Sequence, residues 1–184
     1  MTRRYIIILL LSFVFAINLS AQRNPLWAVP VEAKAAYNLY RIDMGVYRVA
    51  QPDAAAFAEL YRMGIREVLN LRYFDYNEKE AAGTRLKLHR VKMAAESCSW
   101  DKIVEALRII KNRKSPIAIH CKHGADRTGL VVASYRIVFQ GWSKEDAIDE
   151  LENGGYDFHS IYANIPSFIR KLDVAALKEA VMKD

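Results

Sequence analysis

Cysteine is scarce in this chain: 184 residues contain only Cys98 and Cys121. That excludes a disulfide-stapled scaffold, because one bridge is the most such a chain could form. The four histidines, His89, His120, His123 and His159, show neither helical metal-ligand spacing nor a Cys-x-x-Cys companion, so the sequence predicts no metal site and no cofactor. Basic residues form no stripe interleaved with aromatics, which argues against nucleic acid as a partner. The formal charge of +6 falls to +4 without Arg3 and Arg4, a mild excess that suits an anionic substrate. Lys111 to Lys114 is a short basic cluster at a predicted helix end, favourable to the helix dipole. Internal repeats and low-complexity tracts are missing, so one domain with a full core is expected.

A long apolar span is also lacking. The run from Tyr5 to Leu19 is shorter than the ~20 residues that cross a bilayer. With Arg3 and Arg4 ahead of it and the small residue Ala21 behind, residues 1–21 are predicted to be a secretory signal peptide. An uncleaved anchor is the alternative. No cysteine lies near Ala21, which excludes lipid attachment there. The expected location is periplasmic or secreted, with no stable membrane association after cleavage. Residues 22–36, with Pro25 and Pro30, are an extended lead-in, and residues 37–184 form the expected folded domain.

What is present is concentrated in ten residues, His120-Cys121-Lys122-His123-Gly124-Ala125-Asp126-Arg127-Thr128-Gly129. Ile117 to Ile119 lead in as a strand and Leu130 to Ala133 lead out as a helix. In that geometry, backbone N–H groups at a helix N-terminus converge on an anion. Positive potential there favours a thiolate at Cys121, a nucleophile for a phosphate ester. Arg127 offers a planar fork that grips two phosphate oxygens at once, which lysine cannot do. Gly124 lets the loop turn its N–H groups inward. Thr128 can donate its hydroxyl to the Cys121 sulfur, and Gly129 lets the following helix start close against the strand.

This run resembles the His-Cys-x5-Arg-Thr/Ser-Gly signature of the protein tyrosine phosphatase superfamily at every fixed position. The likeness is to the dual-specificity branch, and within it to small bacterial secreted and plant or fungal atypical members. Val46-Tyr47-Arg48-Val49-Ala50-Gln51-Pro52 and Glu67 to Arg72 resemble the N-terminal strands of the same branch. The resemblance implies a phosphocysteine intermediate on Cys121, phosphate binding by Arg127, and a cradle formed by the N–H groups of Lys122, His123, Gly124, Ala125, Asp126 and Arg127. Rhodanese-like sulfurtransferases also hold a Cys in an anion-binding loop, but Arg-Thr-Gly entering the helix fits them poorly.

The resemblance also implies a separate carboxylic acid, usually an Asp in a loop upstream of the Cys. The corresponding stretch, Arg90 to Glu96, contains no Asp. Glu96 is its one carboxylate, Asp101 lies further on at the start of a predicted helix, and Asp126 lies within the loop itself, as in the myotubularin branch. Asp126 is the first expectation and Glu96 the second. Each has a plain structural alternative: a solvated loop residue for Glu96, a helix N-terminal charge for Asp101, and a partner for Arg127 or a loop N–H for Asp126. Cys98 lies in the same upstream stretch. It is read as a buried free thiol, with a reversible disulfide to Cys121 as the alternative.

Periodicity sets the rest. Strands are predicted over 37–42, 46–50, 68–71, 86–91 and 117–119. Helices are predicted over 53–63 (closed by Gly64), 100–111, 129–139, from Ser143 onward, 165–172 and 174–182. Alternating strands and helices predict an α/β fold: a central, mostly parallel sheet with helices on both faces, similar to dual-specificity phosphatases. The loop would lie at the C-terminal end of its strand, where such sheets bind ligands. Three functions follow. The first is a cysteine-dependent phosphatase acting on phosphotyrosine protein with dual specificity. The second is an inositol-polyphosphate or other small-molecule phosphatase, favoured by extra cations at Arg72, Lys92, Lys122 and His123. The third is a phosphate-binding module with little turnover. The partner in each case is a phosphoprotein or a polyanionic phosphorylated small molecule; the sequence does not give an oligomeric state.

Overall fold

Residues 23–74 and 77–183 are described by a computed structural model. The expected signal peptide lies outside them. The strands are β1 (Val29–Pro30), β2 (Tyr40–Arg41), β3 (Val46–Val49), β4 (Glu67–Asn70), β5 (Lys87–Arg90) and β6 (Ile117–His120). The helices are α1 (Ala54–Arg62), α2 (Trp100–Asn112), α3 (Asp126–Gln140), α4 (Lys144–Asn153), α5 (Asn164–Lys171) and α6 (Val174–Met182). The sheet order is β1-β2-β3-β6-β4-β5. The last four strands in that order are parallel, while β1 and β2 run antiparallel at one edge.

β6 is central, and all four of its residues are buried, as a parallel strand covered on both faces must be. Its alternation divides the core. Ile117 and Ile119 pack with Val46 and Leu69 into the large cluster under α2 to α6, whereas Ala118 packs with Val49, Ala56 and Leu60 under α1. Helices therefore cover both faces, unequally. Each fully buried leucine or isoleucine contributes about 1.5–3 kcal/mol relative to exposure.

Capping fixes where the helices begin. Asp53 accepts from the Ala56 N–H, Ser143 from Asp146 and Asp173 from Ala176. The helix after the phosphate loop differs from expectation. It starts at Asp126 rather than Gly129, so Arg127 and Thr128 occupy its first turn. Gly129 reads as a helix boundary by propensity, yet it lies inside α3, where a Cβ would collide with Leu151 of α4. The lead-in also contributes an element: Val29–Pro30 pairs with β2 as an edge strand, where proline's missing N–H costs nothing.

Three parallel strands end together. Val49 and Asn70 flank His120 in register, so the chain leaves β6 between two neighbours and Cys121 opens a loop anchored on both sides.

Candidate active site

Cys121 is 1% exposed, at the mouth of this strand end. The loop after it is shaped by what holds its carbonyl oxygens. His120 Nδ1 lies 3.1 Å from the Cys121 carbonyl. The Gln51 N–H donates to the Lys122 carbonyl (3.0 Å), Asn38 Nδ2 to that of His123 (2.9 Å) and Arg48 Nη2 to that of Gly124 (2.7 Å). Four successive carbonyls are thus tied from outside, which turns the intervening N–H groups toward the loop's interior. Gly124 has φ 71°, and a Cβ there would sit 2.6 Å from the Val49 carbonyl oxygen. Only glycine fits that close approach.

Arg48 was quoted with its strand but given no role by sequence. It is 1% exposed, and its guanidinium carbon stacks 3.6 Å from the Tyr156 ring centroid. Burial pulls its pKa below the usual arginine value, and Tyr156, Glu150 and Cys121 oppose that pull. The Tyr156 hydroxyl donates to Glu150 (3.0 Å), which also accepts two bonds from Arg136 and one from the Ala28 N–H. Arg23 closes the arrangement, donating to the Tyr156 hydroxyl at 2.9 Å and the Ala28 carbonyl at 2.8 Å. The N-terminal segment therefore braces the phosphate loop through Tyr156 and Arg48. Asn38 is another residue the sequence did not mark; it adopts a left-handed conformation (φ 56°) that brings its amide to both His123 and Tyr156. Asn tolerates that region better than most residues.

His120 is fully buried, and burial lowers its pKa to about 4, so the ring is neutral at physiological pH. One N–H is then available. Donated to the Cys121 carbonyl from Nδ1, it leaves Nε2 as an acceptor, 3.0 Å from the Asn77 amide. With that amide turned to present Nδ2, which otherwise takes no partner, the ring nitrogen and the amide N–H are paired.

The predicted site residues separate clearly. Arg127 Nε and Thr128 Oγ1 are buried and take no hydrogen bond among the described residues. Lys122 and His123 are exposed, and Ala125 is buried behind the loop. Burial, then the neighbouring His159 and Lys122, lower the His123 pKa, against the pull of Asp126. Arg72 donates to Gln51 Oε1 (3.1 Å); burial and then Arg127 lower its pKa while Cys121 raises it, which places it in the same electrostatic neighbourhood.

The carboxylates differ most. Asp126 is 4% exposed, and its Oδ1 accepts the His159 backbone N–H at 3.0 Å. Both of its oxygens lie 3.0 Å from His159 Nδ1. Glu96 is exposed in the loop after β5, at the C-terminal end of the parallel strands. That loop is tied to α5 by Asn164 Nδ2, which reaches the Ala95 carbonyl (3.0 Å) and Cys98 Sγ (3.5 Å). Asp101 is exposed in the first turn of α2 and lines a different cleft, with Lys87, His89 and Arg108. Both cysteines are free thiols, and burial raises the pKa of Cys98 against the Asn164 contact. The sequence showed no metal-ligand cluster, but tertiary structure assembles one: His123, Asp126 and His159 present ligand atoms within 4.8 Å of one another.

Three comparisons bear on this geometry. Residues 36–182 match the tyrosine phosphatase family. The chain is 32% identical over 168 residues to the dual specificity protein phosphatase TpbA of Pseudomonas aeruginosa, covering 90% of this chain and 76% of that protein. An inositol diphosphatase of Arabidopsis thaliana is 26% identical, with 79% and 74% covered. A crystal structure of a Cys-to-Ser variant of P. aeruginosa TpbA in complex with phosphotyrosine superposes with a TM-score of 0.79 at 30% identity, covering 88% of this chain and 99% of that one. The catalytic core of the S. cerevisiae PP-IP phosphatase SIW14 gives 0.70 at 26% identity, with 80% and 93% covered.

Proposed function

Because this chain belongs to the tyrosine phosphatase family, as a dual-specificity-like cysteine phosphatase, we propose that it hydrolyses phosphotyrosine in proteins through Cys121 and accepts other phosphate monoesters. The observation that carries this reading is the loop whose four tied carbonyls leave its N–H groups facing inward beside Cys121 and Arg127.

In the first step the Cys121 thiolate attacks phosphorus, the S–P bond forms and the ester P–O bond breaks. Arg127 and the N–H groups of residues 122 to 127 hold the equatorial oxygens as charge shifts onto the leaving oxygen. The Thr128 hydroxyl, expected to donate to the Cys121 sulfur, makes no such bond in this structure, so no role in the step is assigned to it. The leaving oxygen takes a proton, and we assign that proton to Glu96. Asp126 is buried and already faces two donors on His159, so it orients that imidazole rather than donating to substrate. Glu96 is exposed on a loop at the same end of the sheet. In the second step water attacks phosphorus, its proton passes to the Glu96 carboxylate, the S–P bond breaks and phosphate leaves. General acid catalysis contributes ~10²–10⁴-fold.

Glu96→Gln is expected to slow phenyl phosphate hydrolysis far more than that of p-nitrophenyl phosphate, whose leaving group needs little protonation. Cys121→Ser should abolish turnover on both. An equal loss on the two substrates for Glu96→Gln, with a leaving-group-dependent loss for Asp126→Asn, would return the acid role to Asp126. The cations Arg72 and Lys122 support a second reading, phosphorylated inositols, and a substrate panel of phosphopeptides and inositol phosphates decides between the two. Residues 1–21 support export to the periplasm or the exterior. The test is N-terminal sequencing of the mature protein, expected to begin at Gln22.

A further inference from the structure

We propose that His123, Asp126 and His159 form a binding site for a divalent transition-metal ion of the Zn²⁺ type at the rim of the phosphate loop, and that its occupancy inhibits the enzyme. Two imidazoles and one carboxylate are a ligand set for such an ion, with three protein ligands and one open position. One edge of the coordination polyhedron already exists. His159 Nδ1 lies 3.0 Å from each Asp126 oxygen. Metal bonds of 2.0–2.2 Å in a tetrahedral site place neighbouring ligand atoms about 3.3 Å apart. The third ligand, from His123, lies within 4.8 Å of the other two. Its side chain is exposed, and its ring centroid is 5.0 Å from that of His159, so a side-chain rotation closes the site without backbone movement.

The surroundings hold this arrangement in place. Asp126 is anchored by the His159 backbone N–H, a donor that stays on Oδ1 when a metal binds and orients the carboxylate from the outer shell. The His123 backbone is pinned by Asn38. The proton balance is simple: the ion takes the place of the hydrogen between His159 Nδ1 and Asp126, the bound imidazole carries its one proton on Nε2, and any second ring proton is released to solvent. Lys122 and Arg127, on either side, oppose a dication and limit the affinity. The assembly of this site does not depend on the phosphatase reading; only its inhibitory consequence does. An ion there fixes the exposed His123 side chain and adds a bound cation on Asp126, next to Arg127, at the edge of the cradle that a substrate must enter.

Isothermal titration of ZnCl₂ into the Cys121→Ser protein, which lacks the competing thiolate, is expected to show one site. The affinity should fall at least tenfold in Cys121→Ser/His123→Gln and in Cys121→Ser/His159→Gln, each checked for folding by its thermal melt. In chelator-treated wild type, Zn²⁺ should suppress turnover and EDTA restore it, and His159→Gln should need at least ten times more Zn²⁺ for the same fractional inhibition. Absence of binding in Cys121→Ser would make the thiol the ligand and overturn the proposal. Unchanged affinity in both double variants would overturn it equally. A wild type without phosphatase activity that still binds Zn²⁺ at these residues would refute the enzymatic reading and leave the metal site standing.

Discussion

Arg48→Met separates the stability of the loop from its catalytic shape. The substitution removes a hydrogen bond of 2.7 Å from a charged donor to the Gly124 carbonyl, and the stacking on Tyr156 at 3.6 Å. A bond of that type contributes about 1.5–3 kcal/mol, and an abandoned buried carbonyl costs about 1–3 kcal/mol. Against this, methionine fills much of the volume and relieves the desolvation of a buried guanidinium. Glu150 stays paired, because Arg136 holds both its oxygens at 2.8 Å. The net stability loss should therefore stay within about 2 kcal/mol, read from urea unfolding with an unchanged m-value. Catalysis should suffer more. Freed from Arg48, the Gly124–Ala125 peptide can rotate, and misaligned transition-state donors cost about 10²–10³-fold each. The expected result is a fall of roughly 10²-fold in kcat on p-nitrophenyl phosphate, with Arg48→Lys recovering part of it. A folded Arg48→Met enzyme with kcat within threefold of wild type would refute the idea that the tied carbonyl sets the cradle.

Gly124→Ala should damage both stability and turnover, because the residue has φ 71° and its Cβ would lie 2.6 Å from the Val49 carbonyl oxygen. A variant with wild-type melting temperature and kcat would contradict the close approach. His120 predicts an acid-side loss of stability. Its folded pKa of about 4 lies below the unfolded value of 6.5, so the contribution is complete above pH 6.5 and fades as pH falls toward 4. The unfolded chain binds the proton first, and the full shift corresponds to about 3 kcal/mol. Urea midpoints at pH 7 and pH 4.5 measure it, and a His120→Asn protein should lose that part of the pH dependence.

Much of the fold was legible because its signals are local. β6 and its neighbours read as short apolar runs, Asp53 and Ser143 as caps, and α2 as an amphipathic stripe. The start of α3 was misplaced for a physical reason. Gly129 has a boundary residue's propensity but is required inside the helix by Leu151, which comes from another element. The edge strand β1 escaped for a similar reason, since a two-residue strand exists only through its partner, whereas β2 lies within the strand expected over 37–42.

The site divides along the same line. Cys121, Arg127, Thr128 and Gly129 are fixed by a spacing that belongs to one contiguous loop, and spacing along a chain is visible in a sequence. That was enough to name the reaction. Apart from the adjacent His120, the groups named on the loop come from distant segments: Asn38, Arg48 and Gln51 on its carbonyls, Tyr156 and Arg23 behind Arg48, His159 against Asp126. A carboxylate between the phosphate-binding residues reads as an acid when only its position is known. Its burial and its partner, 33 residues away, show that it already accepts hydrogen bonds, which is the ground on which the acid is proposed elsewhere. Sequence by itself marked the candidate nucleophile and the phosphate-ester chemistry, because both lie in one contiguous loop; the tertiary structure alone decided what each carboxylate touches, because those partners come from distant segments.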